Sequence, residues 1–235
     1  MIQLEYLEWD SNFFHKKIYR CVIDQVSDTL LLNKELTKIQ GDLCYIISKD
    51  DLKIKNKRSF FLADRKVVFM KNKFCHCAEP HFDYEIISCV QYTPQLLELA
   101  LLSGQYSRFK TDKFLNPWFN KMYKIWLEKS LDKQIASEVF VFKNDNEQLG
   151  FVTIKKKAKS AIVGLIAVNE THQGKKIGSS LLKKVEWWCS ENDIETLEIA
   201  TQMDNEKACA FYKKNGYEIK QIEYIYHYYK NADQI

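Results

Sequence analysis

The sequence predicts an α/β fold of the α+β kind, and three observations lead there. Strand-like apolar runs and runs with helical periodicity succeed one another along the chain, with only three prolines and seven glycines to interrupt them. Hydrophobic residues fill 46% of 235 positions, enough for one large core or two small ones and too many for general disorder. A threonine–proline pair at 93–94 suits a helix cap and first turn, and marks the start of a larger unit. The expected division is an N-terminal α/β domain over 1–92 and a main domain over 93–235.

In the first unit, "DLCYIIS" (42–48) and "KVVFM" (66–70) read as short strands between lysine-rich connections such as "LKIKNKRS" (52–59), and it closes near "EIISCVQY" (85–92). In the second, "TPQLLELALLSGQYSRF" (93–109) and "PWFNKMYKIWLEKSL" (117–131) have helical patterns, the first breaking near its glycine. "SEVFVFK" (137–143) and "LGFVTIK" (149–155) form a hairpin about "NDNEQ". "SAIVGLIAV" (160–168) is more continuously apolar, as a central strand should be. Ile177, Leu181, Leu182, Val185 and Trp188 then recur at helical spacing, and "TLEIAT" (196–201) is strand-like. "DNEKACAFYKKNG" (204–216) is a short helix with polar caps in front and Gly216 just past its end. "YEIKQI" (217–222) and "YIYHYY" (224–229) read as two closing strands.

Several function classes drop out early. A net charge of +4 is too mild for a continuous nucleic-acid-binding face. No window approaches the roughly 20 apolar residues of a membrane span. The acidic start "MIQLEYLEWD" has no basic or apolar leader, and seven cysteines is an odd number, so reduced thiols in the cytoplasm are expected. "CHC" (75–77) with His81 lacks the two-to-four-residue spacing of a zinc knuckle and a second cysteine pair, so no metal is expected. "KKKAK" (155–159) reads as a solvated hairpin tip from which a lysine could reach a phosphate, and "EWWC" (186–189) as helix packing.

The chemistry gathers at "THQGKKIGSSLL" (171–182), a polar, glycine-punctuated turn directly before a helical run. No side chain is placed to cap that helix, so its first amides and the positive end of its dipole face the turn. A phosphate or pyrophosphate is the natural occupant, and glycines let it approach the backbone. Taken alone, such a turn is better read as a surface connection whose glycines only relieve geometry, because short glycine patterns are common.

The wider pattern resembles the GCN5-related N-acetyltransferase superfamily from about residue 95 to 229, through "GLIAVNETHQGKKIGSSLL" and "ACAFYKKNGYE". That resemblance implies a central, mixed, mostly antiparallel sheet flanked by helices, and acetyl-CoA as acyl donor. Its Q/R-x-x-G-x-G/A segment falls on Gln173, Gly174, Lys175, Lys176, Ile177 and Gly178, followed by Ser179. Lys176 stands where the pattern has a glycine; a lysine still offers its N–H and is tolerated unless the residue needs a positive φ. "LEWDSNFF", "SGQYSRFKTD" and "IATQMDN" look more narrowly like the dTDP-fucosamine acetyltransferase group. Those enzymes acetylate the 4-amino group of dTDP-4-amino-4,6-dideoxygalactose, and carry an N-terminal extension of similar size.

Roles come with the resemblance. Tyr212 would be the general acid that protonates the leaving thiolate, a tyrosine being protonated at neutral pH; a core tyrosine beside Phe211 is the plainer alternative. Asn205 would hold the pantetheine arm, seven residues before Tyr212 and so near the same helix face, about 10 Å away. Backbone amides around Ile166, Ala167 and Val168 would meet the thioester oxygen. Asp204, Glu198, Glu170 and His227 are candidate bases, none preferred, and water is a further route. For the acceptor, Arg108 would pair with a nucleotide diphosphate and Tyr106 or Ser107 would help; a solvated arginine is equally consistent. The expected function is acetylation of a nucleotide-linked aminosugar, with a homodimer possible if the aromatic "EYIYHYY" face is exposed. The rivals are another amine (a protein N-terminus, a polyamine, an aminoglycoside) and a CoA-binding protein without turnover.

Overall fold

A computed structural model describes residues 4–23, 36, 41–54, 59–74, 79–80, 84–145 and 147–230. Among the described residues, ten strands form a single sheet in the order β1-β2-β3-β10-β4-β9-β8-β7-β6-β5. They are β1 (Leu4–Tyr6), β2 (Ile18–Ile23), β3 (Leu43–Ser48), β4 (Phe60–Asn72), β5 (Glu85–Ser88), β6 (Glu138–Asn144), β7 (Glu147–Lys157), β8 (Ser160–Val168), β9 (Thr196–Gln202) and β10 (Glu218–Tyr229). Only β2–β3 and β8–β9 pair in parallel, so the sheet is mixed and mostly antiparallel. It runs without a break across residue 92, because β4 lies between β9 and β10 and β5 pairs with β6.

The helices whose full extent lies among the described residues are α1 (Glu8–Phe14), α2 (Pro94–Ser103), α3 (Arg108–Thr111), α4 (Phe119–Leu131), α5 (Ile177–Glu191) and α6 (Glu206–Lys214). α2 starts where its sequence says: Thr93 Oγ1 accepts from the Leu96 N–H at 3.1 Å, and Pro94 occupies the first turn. α5 and α6 cover one face of the sheet, where Ile177, Leu181, Leu182, Val185 and Tyr212 pack with Phe69, Val152 and Ile199. α1 to α4 cover the other, with Phe109, Met122, Tyr123 and Leu127 at its centre. Truncating one such buried leucine, Leu181→Ala, costs about 2–5 kcal/mol.

Two expectations change. The two closing strands are one, β10, bent by irregularities against β4 between Ile219 and Gln221 and between Ile225 and Tyr226. Only Glu223 separates the expected halves, and no turn-forming residue is there to break the strand. The aromatic face offered for a dimer is not exposed: β10 is paired on both edges, and Tyr226, His227 and Tyr229 are buried within the chain.

A bulge in β8 sets which way the second half of that strand faces. Opposite the step Val152 to Ile154 in β7, β8 spends one residue more, from Val163 to Ile166. Gly164 sits in that bulge, where a Cβ would stand 2.8 Å from Thr153 Oγ1, and the Leu165 N–H donates to the same oxygen at 2.9 Å. The extra residue swaps the faces. Val163 packs beneath α5, whereas Leu165 and Ala167 turn toward α2 and α4.

Candidate functional site

Beyond that bulge the sheet opens. β8 and β9 pair only from Ser160–Thr196 to Val163–Ile199, yet β8 continues to Val168 and β9 to Gln202. The wedge between their ends leads to the turn before α5. There Gly174 has φ +80, and Lys176 is the N-cap of α5 with no side-chain capping bond. The first-turn amides of Ile177, Gly178 and Ser179 therefore remain available to an anion. Gln173, Lys175 and Lys176 are exposed around them. Lys176 does adopt a positive φ, +65, the condition under which lysine is not neutral in place of glycine: a side chain there costs about 1–2 kcal/mol. The lysines of the β7–β8 tip stand at the other end of β8 from this turn, and Lys159 is ion-paired with Glu195.

α6 abuts the same turn. A Cβ on Gly178 would lie 3.0 Å from Phe211 Cζ and 3.6 Å from Val168 Cγ2, so α5, α6 and the end of β8 meet at one point. Asn205 is not a helical residue sharing a face with Tyr212. It is the N-cap of α6, its Oδ1 accepting from the Ala208 N–H at 3.2 Å, which leaves its amide N–H groups as donors. Tyr212 is 4% exposed, with ring centroids of Phe69 and Phe211 each 5.4 Å away. Burial pushes its hydroxyl above the ordinary tyrosine range, so it is protonated at neutral pH.

Residues 105–217 match the Acetyltransferase (GNAT) family. That match spans just under half of the chain. The chain is 27% identical over 57% of its length to the spore coat polysaccharide biosynthesis protein SpsD of Bacillus subtilis, covering 47% of that protein. It is 24% identical over 56% of its length to the dTDP-fucosamine acetyltransferase of Escherichia coli, covering 57% of it. The matches thus span about half the length of these relatives. Among solved structures, the PaiA N-acetyltransferase of Thermoplasma acidophilum in complex with coenzyme A superposes with a TM-score of 0.50 at 20% identity, over 63% of this chain and 99% of that one.

On the opposite face of the sheet lies a cluster of buried polar side chains, termed the chamber, that sequence reasoning only touched. The three acceptor-site expectations separate there: Tyr106 is 48% exposed, while Ser107 is buried and the Arg108 guanidinium lies 4.8 Å from the Tyr45 ring and 4.3 Å from the Phe109 ring. Around Arg108 stand Asp10, Asp64 and Asp112, so a diphosphate at this arginine would meet net negative charge. Among the described residues, the buried side-chain polar atoms without a hydrogen-bond partner are Tyr45 Oη, Asp64 Oδ1, Ser107 Oγ, Arg108 Nε and His227 Nε2, and all belong to this chamber.

The candidate bases also sort themselves. Asp204 is ion-paired with Arg65 and Glu198 with Lys220, while Glu170 lies exposed in a 3-10 turn. His227 is fully buried, its Nδ1 2.5 Å from Asp112 Oδ2, which also accepts from Tyr229 Oη at 2.7 Å. Burial drives the histidine toward its neutral form. The carboxylate that sequence reasoning missed is Asp64, 8% exposed on β4, whose pKa burial raises to about 6 against the pull of Arg108, Gln202 and Lys66. Its one signal was a lone acid in the apolar run "FFLADRKVVFM" (60–70). Among the described residues no three metal-ligating side chains converge, and no helix is long and apolar enough to cross a membrane. Cys75, His76, Cys77 and His81 lie outside the described residues.

Proposed function

We propose that this chain is an acetyl-CoA-dependent N-acetyltransferase acting on the amine of a nucleotide-linked aminodeoxysugar of the dTDP-4-amino-4,6-dideoxyhexose type, by direct attack in a ternary complex. The observation that carries the proposal is the uncapped start of α5, which meets α6 at Phe211, next in the chain to Tyr212, close to the end of β8 where it has left β9. The amides of Gly174 to Ser179 would hold the pyrophosphate of acetyl-CoA, with Lys175, Lys176 and Gln173 adding charge and hydrogen bonds. Asn205 would donate to the pantetheine arm. Backbone amides near Ile166, Ala167 and Val168, freed where β8 leaves β9, would polarise the thioester oxygen. Tyr212 is the general acid for the departing thiolate. The sugar assignment rests on the two polysaccharide-related relatives. Both substrates would be cytoplasmic, and that is where this reading puts the chain.

The test is thiol release from acetyl-CoA against a panel of dTDP- and UDP-linked 3- and 4-aminosugars, run beside Tyr212→Phe. Turnover on one nucleotide sugar, with kcat lowered about 10²-fold or more in the variant, supports substrate class and acid role together. A second reading keeps the chemistry and changes the amine. The acidic chamber favours a cationic acceptor such as a polyamine or an aminoglycoside, and turnover on those alone would select it.

A further inference from the structure

An unpaired buried polar atom costs roughly 1–3 kcal/mol, and such atoms are rare in folded proteins. In the chamber, Tyr45, Asp64, Ser107 and His227 are each more than nine-tenths buried; Asp64 Oδ1, His227 Nε2 and Arg108 Nε have no partner, while Tyr45 lies within reach of Asp10 and Arg108, and Ser107 within reach of Tyr123. The charges do not balance either: the carboxylates of Asp10 and Asp64 share the guanidinium of Arg108, with Arg20 also acting on Asp10, while Asp112 is tied up by His227 and Tyr229 and His227 is held toward its neutral form. The neighbouring cations each have another carboxylate partner, Lys66 in Glu223, Arg65 in Asp204 and Arg20 in Glu5. A cation bearing oxygen or nitrogen groups would complete both inventories.

Position ties the chamber to the wedge. Leu165, turned to this face by the β8 bulge, packs against the cluster that holds Phe109, Tyr123 and Tyr45. Asp64 lies beside Gln202 at the last residue of β9, and Met203 donates its N–H to the Arg65 carbonyl at 2.7 Å. The chamber therefore borders both diverging strand ends, across the sheet from α5 and Tyr212.

We infer that this chamber is the acceptor-amine site, with Asp64 Oδ1 receiving the ammonium and taking its proton, and Tyr45, Ser107, Arg108 and His227 reading the acceptor's hydroxyl or carbonyl groups. The inference rests on the acetyl-transfer reading but not on the identity of the sugar. One ammonium proton passes to the Asp64 carboxylate. The freed nitrogen lone pair forms the C–N bond at the thioester carbonyl carbon, and the C–S bond breaks with its electron pair leaving on sulfur. That sulfur takes the Tyr212 proton, and the second nitrogen proton returns to the tyrosine oxygen, so the step consumes no further reactant. The charged and polar groups facing Asp64 are Arg108 from α3, Tyr123 from α4, Lys66 on β4, and Gln202 and Asp204 at the end of β9. Burial sets its pKa to about 6, near the range in which a base works efficiently at neutral pH.

The experiment uses Asp64→Asn and Asp64→Glu in the full chain, on whichever amine the wild type acetylates fastest. Acetyl-CoA affinity by calorimetry should stay within twofold for both. The acceptor kcat/KM of Asp64→Asn should fall about 10²–10⁴-fold and lose its acidic limb, with partial recovery in Asp64→Glu. A second readout needs no turnover: cationic amines should raise the melting temperature of the wild type but not of Asp64→Asn. Activity within threefold of wild type with the acidic limb intact overturns the inference, as does an equal amine-induced shift in both proteins or none in either. Failure of every nucleotide sugar beside success with another amine removes only the sugar assignment.

Discussion

Phe211 Cζ stands 3.0 Å from the position a Cβ on Gly178 would take, so the first turn of α5 and the middle of α6 are in contact through a glycine. The uncapped amides of α5 and the helix that carries Tyr212 therefore cannot shift independently. Gly178→Val should push the two helices apart, at about 1–3 kcal/mol of stability, and raise the KM for acetyl-CoA about tenfold or more. Thermal melting and thiol-release kinetics read both effects; an unchanged KM would separate the turn from the donor.

Lys176 holds a left-handed backbone at φ +65. Lys176→Gly should relieve about 1 kcal/mol of strain, part of it offset by the greater freedom of glycine when unfolded. The expected net result is a melting temperature no lower than wild type, and up to about 2–4 °C higher. Acetyl-CoA binding should weaken severalfold through the lost charge, more at low salt than at high. A melting temperature clearly below wild type would show that the lysine side chain stabilises this turn.

Asp64 yields a pH signature of stability. Its folded pKa of about 6 lies above the ordinary 3.8, so the folded state binds more protons between those values. The ionised form then destabilises the fold above pH 6, by on the order of 3 kcal/mol at most, and this cost vanishes as pH falls toward 3.8. Asp64→Asn should melt higher than wild type at pH 8, and the gap should close on acidification. A gap independent of pH would mean that the carboxylate is not burdened by burial.

Asp112 accepts from both His227 and Tyr229 inside the core. Asp112→Ala strands two buried polar groups and should cost about 3–5 kcal/mol, seen as a lowered urea midpoint. Asp112→Asn keeps the shape and should cost less. Equal midpoints for Asp112→Ala and wild type would show that these hydrogen bonds add nothing to stability.

What could be read without the structure was local. Thr93 and Pro94 announce α2 because a cap and its first turn are adjacent in the chain. The uncapped start of α5 was legible for the same reason, and so was Gly216 past the end of α6. Asn205 shows the margin of such reasoning: its place before α6 was plain, but counting seven residues as two turns overlooked that a cap lies outside the helix. The single long β10 was missed because a strand that needs no turn leaves no mark where it continues.

The sequence by itself determined the alternation of strands and helices, and the glycine-punctuated, uncapped turn at 173–179, since each depends on residues a few positions apart. Tertiary structure alone decided the left-handed backbone of Lys176, the insertion of β4 between β9 and β10, and the chamber that joins Asp64 to Arg108 and His227. Burial and electrostatics depend on spatial neighbours, which here come from strands far apart in the chain. A carboxylate on β4 becomes a candidate base only when the fold has walled it off from water beside the open ends of β8 and β9.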